Sequence, residues 1–257
     1  MPFVQLKNKT KIHYIAAGKG RGKIIFVHGN LANTIWWEET LDKLQPQYQG
    51  YALDLPGSGQ SPETGERHTM EYLAAVVNDF AEKLGIKEFY LVGHSMGGGI
   101  AQLLTLNHPE KVRKLVLLDA MAADGFHTIY NLGLDRMRRA MVDKEFLAAA
   151  LRVIAPNCKN EKLLARITEA AAQASEQVFL EQPVTMHEAN WLSRLQEINC
   201  PTLFLHGEED NFVPQDGSER TARSINGCIF KYLRNCGHSP MLEVFDEYFQ
   251  EVFGFLG

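Results

Sequence analysis

Few features in this chain announce a specialised environment. Its 257 residues include only four cysteines, Cys158, Cys200, Cys228 and Cys236, and these are widely scattered. They form no C-x-x-C pair and no zinc pattern with the histidines, and H-E-x-x-H is absent. A disulfide-stapled scaffold is therefore excluded, no metal site is expected, and free thiols in a reducing compartment are the default. No apolar run is long enough to span a bilayer. The segment Met1 to Lys7 lacks the apolar stretch of a signal peptide. The expectation is a cytoplasmic protein without a membrane partner. Charge of one sign is not in excess either. The 26 Lys and Arg against 31 Asp and Glu leave a formal net charge of −5, which gives no reason to expect a nucleic-acid partner. Internal repeats and low-complexity segments are also missing.

What is present is an ordinary globular composition, 45% hydrophobic and 22% charged. That supports a sizeable core, and the length suits one α/β domain carrying an insertion. Phe3 to Leu6 and Ile12 to Ala16 read as short strands around a turn at Asn8-Lys9. Gly18, Gly20 and Gly22 superficially suggest a phosphate loop. A strand follows them rather than a helix, so a nucleotide site is disfavoured. Further strands are expected at Lys23 to Val27, Tyr51 to Leu55, Phe89 to Gly93, Lys114 to Leu118, Thr202 to Leu205 and Ile229 to Leu233. Helices are expected between them: Thr34 to Leu44 capped by Thr34, Thr69 to Leu84 stopped by Gly85, and Ser95 to His108 stopped by Pro109. Trp191 to Ile198, Gly217 to Ile225 and the stretch from Pro240 also read as helical. Alternation of this kind implies a mostly parallel sheet with right-handed crossovers. The alternation lapses from Met121 to His187. There strand-like runs vanish, and alanine-rich helical patterns at Asp143 to Val153 and Asn160 to Ala174 are punctuated by Pro156 and Pro183. The reading is a core of residues 1–120 and 188–257 with a helical cap at 121–187.

The most telling stretch is Gly93-His94-Ser95-Met96-Gly97, which fits G-x-S-x-G between an apolar strand and an apolar helix. A strand turning sharply into a helix lifts the serine above the sheet and tolerates only small neighbours. The following helix N-terminus offers unpaired N–H groups to developing negative charge. Ser95, Asp210 and His238 all stand where predicted parallel strands end, the edge at which open α/β sheets form sites. Their order, serine, acid, histidine, is that of the α/β-hydrolases.

At this point the chain resembles the α/β-hydrolase superfamily, in its branch of capped serine esterases. The matching pieces are His28-Gly29-Asn30, Asp54 to Ser61, Gly93 to Gly98, Gly207 to Pro214 and Gly237-His238. The resemblance implies a central sheet of about eight strands flanked by helices. It also implies Ser95 as nucleophile, His238 as base, Asp210 as the acid that orients it, and an oxyanion hole from the backbone N–H groups of Asn30 and Met96. Asp119, at the end of the preceding strand, is the rival acid. The implied activity is hydrolysis of a carboxylic ester through an acyl-enzyme on Ser95, with no cofactor and a small-molecule substrate carrying an apolar acyl part. Alternatives are a lactonase, such as one acting on acyl-homoserine lactones, a C–C bond hydrolase, a perhydrolase, or a catalytically silent binding protein. Leu31, Phe126, Tyr130 and Val213 are expected in the acyl pocket, with Met121, Ile129, Leu132, Leu134, Met137 and Phe212 as further contributors. His94, His28 and His206 read as structural, and His13, His68 and His108 as surface or loop residues. His127 and His187, in or near the cap, read as surface residues. Asp54 should bond the backbone of its own turn. One of Trp36 and Trp37 should be core and the other free to reach the pocket mouth. Cys236 reads as a buried thiol.

Overall fold

A computed structural model describes residues 2–7, 9–128 and 133–257. Strands alternate with helices as the hydrophobic pattern requires. In order, the strands are β1 Phe3–Gln5, β2 Lys11–Gly18, β3 Gly22–Val27, β4 Tyr48–Leu53, β5 Phe89–His94, β6 Val112–Leu118, β7 Thr202–Gly207 and β8 Ile229–Leu233. They form one eight-stranded sheet in the order β1-β2-β4-β3-β5-β6-β7-β8. β2 runs antiparallel to both β1 and β4, and every later pairing is parallel. The central strands are continuous apolar runs because both of their faces are covered. Ile24, Leu91, Val116 and Phe204 are completely buried.

The helices are α1 Glu38–Asp42, α2 Met70–Lys83, α3 Met96–Asn107, α4 Leu134–Val142, α5 Lys144–Ile154, α6 Glu161–Ala171, α7 Glu176–Glu188, α8 Gln215–Arg223, α9 Pro240–Glu243 and α10 Phe245–Leu256. α2 and α3 pack side by side, and the 3-10 turn Leu192–Glu197 joins α3. A second group is formed by the turn Thr34–Trp37, α1, α9 and α10, in which Thr40 Oγ1 lies 3.3 Å from Tyr248 Oη. Between β6 and β7 no strand occurs among the described residues. α4 packs on α5 and α7 there, and α5 packs on α6.

The first helix begins differently from expectation. Asn33, not Thr34, is the cap, accepting from the Ile35 N–H, and the first turn is a 3-10 turn. The Asn33 side chain reaches a nearer N–H, while the Thr34 N–H is taken by Asp54 Oδ1 at 2.7 Å. Pro183 lies inside α7 rather than ending a helix. The final helical stretch is broken at Val244, whose non-helical backbone (φ −132°, ψ 52°) separates α9 from α10. His13 and His68 are buried, not exposed. His13 Nδ1 lies 2.6 Å from Asp54 Oδ2, and Asp54 also accepts from the Gln60 N–H of its own loop. A carboxylate with that many donors fixes the loop beside the sheet end. Trp36 and Trp37 are both core residues. Trp37 packs on Phe26 and Trp36 stacks on His94. Neither reaches a pocket mouth.

Candidate active site

Ser95 sits between β5 and α3 with φ 55° and ψ −121°. That left-handed φ is costly for a residue with a side chain and persists only when the surroundings enforce it. Here the Ser95 N–H donates to Leu118 O at 3.0 Å, and its carbonyl accepts from Gly98 and Met121 at 2.9 and 3.1 Å. The glycines allow the approach. A Cβ on Gly97 would collide with the carbonyl oxygens of Val27 and His28, and one on Gly29 would lie 2.9 Å from Ser95 Cβ. The Met96 N–H opens α3, where the first N–H groups have no acceptor within the helix. Asn30 and Leu31 follow Gly29, and Leu31 also has positive φ, 57°.

His238 follows β8 on a buried loop. Its Nδ1 is 2.8 Å from Asp210 Oδ2, while Asp210 Oδ1 accepts from the N–H groups of Phe212 and Val213 at 2.7 and 3.0 Å. Burial opposes ionisation of Asp210. The neighbouring His238 ring and these N–H donors outweigh it and hold the carboxyl well below the usual carboxylate range. Phe212 meets the His238 ring edge-on at 5.0 Å.

Asp119, at φ 42°, is fully buried. Its Oδ1 accepts from the Gly207 N–H at 2.8 Å and lies 3.4 Å from His206 Nδ1. Burial, reinforced by the Asp210 charge, pushes the Asp119 carboxyl well above its ordinary range. The structure therefore brings both candidate acids together, but it pairs only Asp210 with His238. One ligand atom from each of Asp119, His206 and Asp210 falls within 4.8 Å of the others, close enough to share a cation. Asp210 is already held by His238 and two N–H groups, and Asp119 is driven toward its neutral form, which makes these weak ligands.

Two contacts around His238 were not foreseen. Burial, aided by the adjacent His238, lowers the His94 pKa to about 3, so His94 is neutral. Its Nε2 is 2.7 Å from the His238 carbonyl oxygen, so Nε2 carries the proton. Glu243 Oε2 accepts from the Gly237 N–H and Oε1 from the Ser239 N–H, at 3.0 and 2.8 Å. The two bonds clasp the backbone on either side of His238. The only sequence signal for Glu243 is an acidic residue five positions after a histidine, which is too weak to single out.

A cavity of about 340 Å³ opens over Ser95 and His238. Asn30, Leu31, His94 and Phe212 complete its floor, and Phe126, Met137, Ala140, Phe146, Leu151, Ile154 and Met186 supply apolar walls. Leu31, Phe126, Met137 and Phe212 are the expected ones. Val213 is fully buried and does not line the cavity, because its backbone is turned in to serve Asp210. Met121 also stays out. It is buried against α3, where a Cβ on Gly99 would touch it. Leu134 is likewise absent from the wall, and Ile129, Tyr130 and Leu132 lie outside the described residues. α5 makes the largest single contribution to the wall, through Phe146, Ala149, Ala150, Leu151, Val153 and Ile154. Asn30 is tied upward as well: its Nδ2 donates to Val178 O and Gln182 Oε1 of α7 at 2.8 and 2.7 Å. His127 and His187 pair with each other through Nδ1 atoms 2.8 Å apart, in an exposed position.

With this geometry in hand, comparison with known proteins places the chain. Residues 23–153 match the family model described as alpha/beta hydrolase fold, and the chain belongs to that family. A curated relative from Escherichia coli, a 2-hydroxy-6-oxononadienedioate/2-hydroxy-6-oxononatrienedioate hydrolase, is 30% identical over 98% of this chain and 93% of its own. Among solved structures, an enol-lactonase from Burkholderia xenovorans superposes with TM-score 0.89 at 21% identity, covering 99% of each chain. An esterase from Exiguobacterium antarcticum does so with TM-score 0.90 at 23% identity, covering 98% of each. These two likenesses concern the fold. The protein is a hydrolase by family.

Proposed function

We propose that the protein hydrolyses carboxylic esters of small acids through an acyl-enzyme on Ser95. The observation that carries this reading is the placement of Ser95, strained at the end of β5, on the floor of an apolar cavity it shares with a histidine whose Nδ1 is held by a carboxylate. Segment 121–187 acts as the cap that roofs this cavity.

The steps follow from the groups present. His238 Nε2 takes the Ser95 hydroxyl proton as Oγ attacks the ester carbonyl. Asp210 fixes the tautomer with Nδ1 protonated and stabilises the imidazolium. The Met96 and Asn30 N–H groups receive the developing oxyanion. His238 then gives its proton to the leaving alkoxide, and the C–O bond breaks. Water, deprotonated by the same histidine, attacks the acyl-enzyme and releases the acid and Ser95.

Cleavage of a C–C bond in a dienedioate, the reaction named for the Escherichia coli relative, is the second reading. Such a substrate carries two carboxylates. Among the described residues the cavity wall offers one cation, Arg136, and is otherwise almost wholly apolar, which favours the ester. The test is turnover of p-nitrophenyl esters from acetate to decanoate, beside a lactone and a vinylogous 1,5-diketone acid. Ester turnover at least a hundredfold above that of the diketone is expected. Turnover of the diketone alone would replace ester hydrolysis by C–C hydrolysis.

A further inference from the structure

α4 and α5, which form much of the cavity wall, carry five cations, and four are neutralised by a carboxylate. Arg138 pairs with Asp135 at 2.7 Å, Arg139 with Asp143 at 3.1 Å, Arg152 with Glu161 at 2.5 Å, and Lys144 with Glu169. Arg136 is the exception: among the described residues it has no ion pair, and it alone of the five lines the cavity. It is exposed, beside the partly exposed Gly133 and near the exposed Ala149, Ala150 and Val153 of α5, so it marks the mouth. The interior behind it is apolar down to Ser95.

This distribution describes a ligand. An apolar body fits the walls, since burying its methylenes against them removes apolar surface from water. A free guanidinium at the open end presents a fork of donors suited to a carboxylate. We propose that the cavity selects acyl groups that are apolar along their length and end in an anion, the half-esters of dicarboxylic acids, with Arg136 holding the distal carboxylate. This deepens the ester reading and rests on it for the identity of the scissile bond.

Binding and turnover separate the two ideas. In Ser95→Ala protein, which retains ligand, calorimetry would compare monomethyl adipate with methyl hexanoate, which has a methyl group in place of the distal carboxylate. At low salt the half-ester should bind roughly twofold to fivefold more tightly, the modest range of a solvent-exposed pair. The preference should shrink in about 0.5 M salt as screening shortens the field. It should vanish with Arg136→Gln and invert with Arg136→Glu, while methyl hexanoate binds alike in all three proteins. A half-ester that binds no better than methyl hexanoate, or a preference that Arg136→Gln leaves intact, overturns the proposal. Turnover of the same two esters by protein with Ser95 intact is the separate arm. Its failure would sink the ester reading and leave the anion preference standing.

Discussion

Two regions meet at the cavity, and they tolerate change very differently. Around Ser95 the sheet edge is built from contacts with no slack. Gly97 faces two carbonyl oxygens, Gly29 abuts the serine, and the backbone on both sides of His238 is clasped by Glu243. Across the cavity the helices of 134–188 present small and apolar side chains, and they leave Val142 exposed. Chemistry needs atoms held to a fraction of an ångström, whereas an acyl pocket needs only volume and low polarity. The difference separates what the reaction geometry demands of a residue from what the cavity wall demands.

The comparison breaks most visibly at the reacting groups. Ser95→Ala should lower ester turnover by about 10⁴-fold or more with little change in stability, since such groups act as a unit. Asp210→Asn should cost up to about 10⁴-fold by loss of the correct His238 tautomer. Asp119→Asn should cost less than about tenfold, because a neutral Asp119 and an asparagine present the same acceptor to the Gly207 N–H. Steady-state kinetics on p-nitrophenyl butyrate would rank them. The reverse ranking would make Asp119 the orienting acid.

Stability should divide along the same line. Gly97→Ala forces backbone oxygens apart and should destabilise by about 2–4 kcal/mol in urea unfolding, at or above the usual cost of overpacking. Val142→Ser, at a residue 80% exposed, should stay within about 0.5 kcal/mol. Equal effects would mean that the elbow is not the tighter region.

The buried histidines give the core a pH signature. His94 and His206 have pKa values lowered by burial to about 3 and about 4, below the ordinary value of 6.5. The unfolded chain therefore binds more protons than the native one between these values and 6.5. The stability they contribute is complete above pH 6.5 and is lost as pH falls toward 4, by at most about 1.4 kcal/mol per pH unit for each ring. Urea midpoints at pH 7.5 and 5.0 should differ less in His206→Phe than in the unsubstituted protein. An unchanged difference would show that His206 is not the source.

On the cap side the effect should be smaller and confined to specificity. Phe146→Ala should reduce kcat/KM for hexanoate esters by about tenfold and leave acetate nearly unchanged, the pattern of lost apolar contact with the longer chain only. A uniform loss across chain lengths would place Phe146 in support of the chemistry instead.

Legibility from sequence follows this division. The strands, the elbow and the neighbours of Ser95 could be read because steric demands there leave few alternatives. The strand–glycine–serine–glycine pattern has one compact solution. The cap could be read only as helices. Helical spacing reveals an apolar face but not what that face covers, so Met121 and Leu134 were expected at the pocket where α5 supplies Phe146, Leu151 and Ile154. Pro183 reads as a break, yet it sits inside α7, which also accepts the Asn30 amide. His13 and His68 looked like loop residues because nothing local signals that Asp54 and Gln182 meet them across long sequence separations.

The whole proposed mechanism turns on Ser95 Oγ as the nucleophile. Treatment with a serine-directed alkyl phosphonate, followed by peptide mass mapping, tests it most directly. The account predicts a single adduct on the peptide carrying Ser95, formed in step with loss of ester turnover, and no adduct in Ser95→Ala. Labelling at another residue, or full turnover remaining once Ser95 is modified, would contradict it.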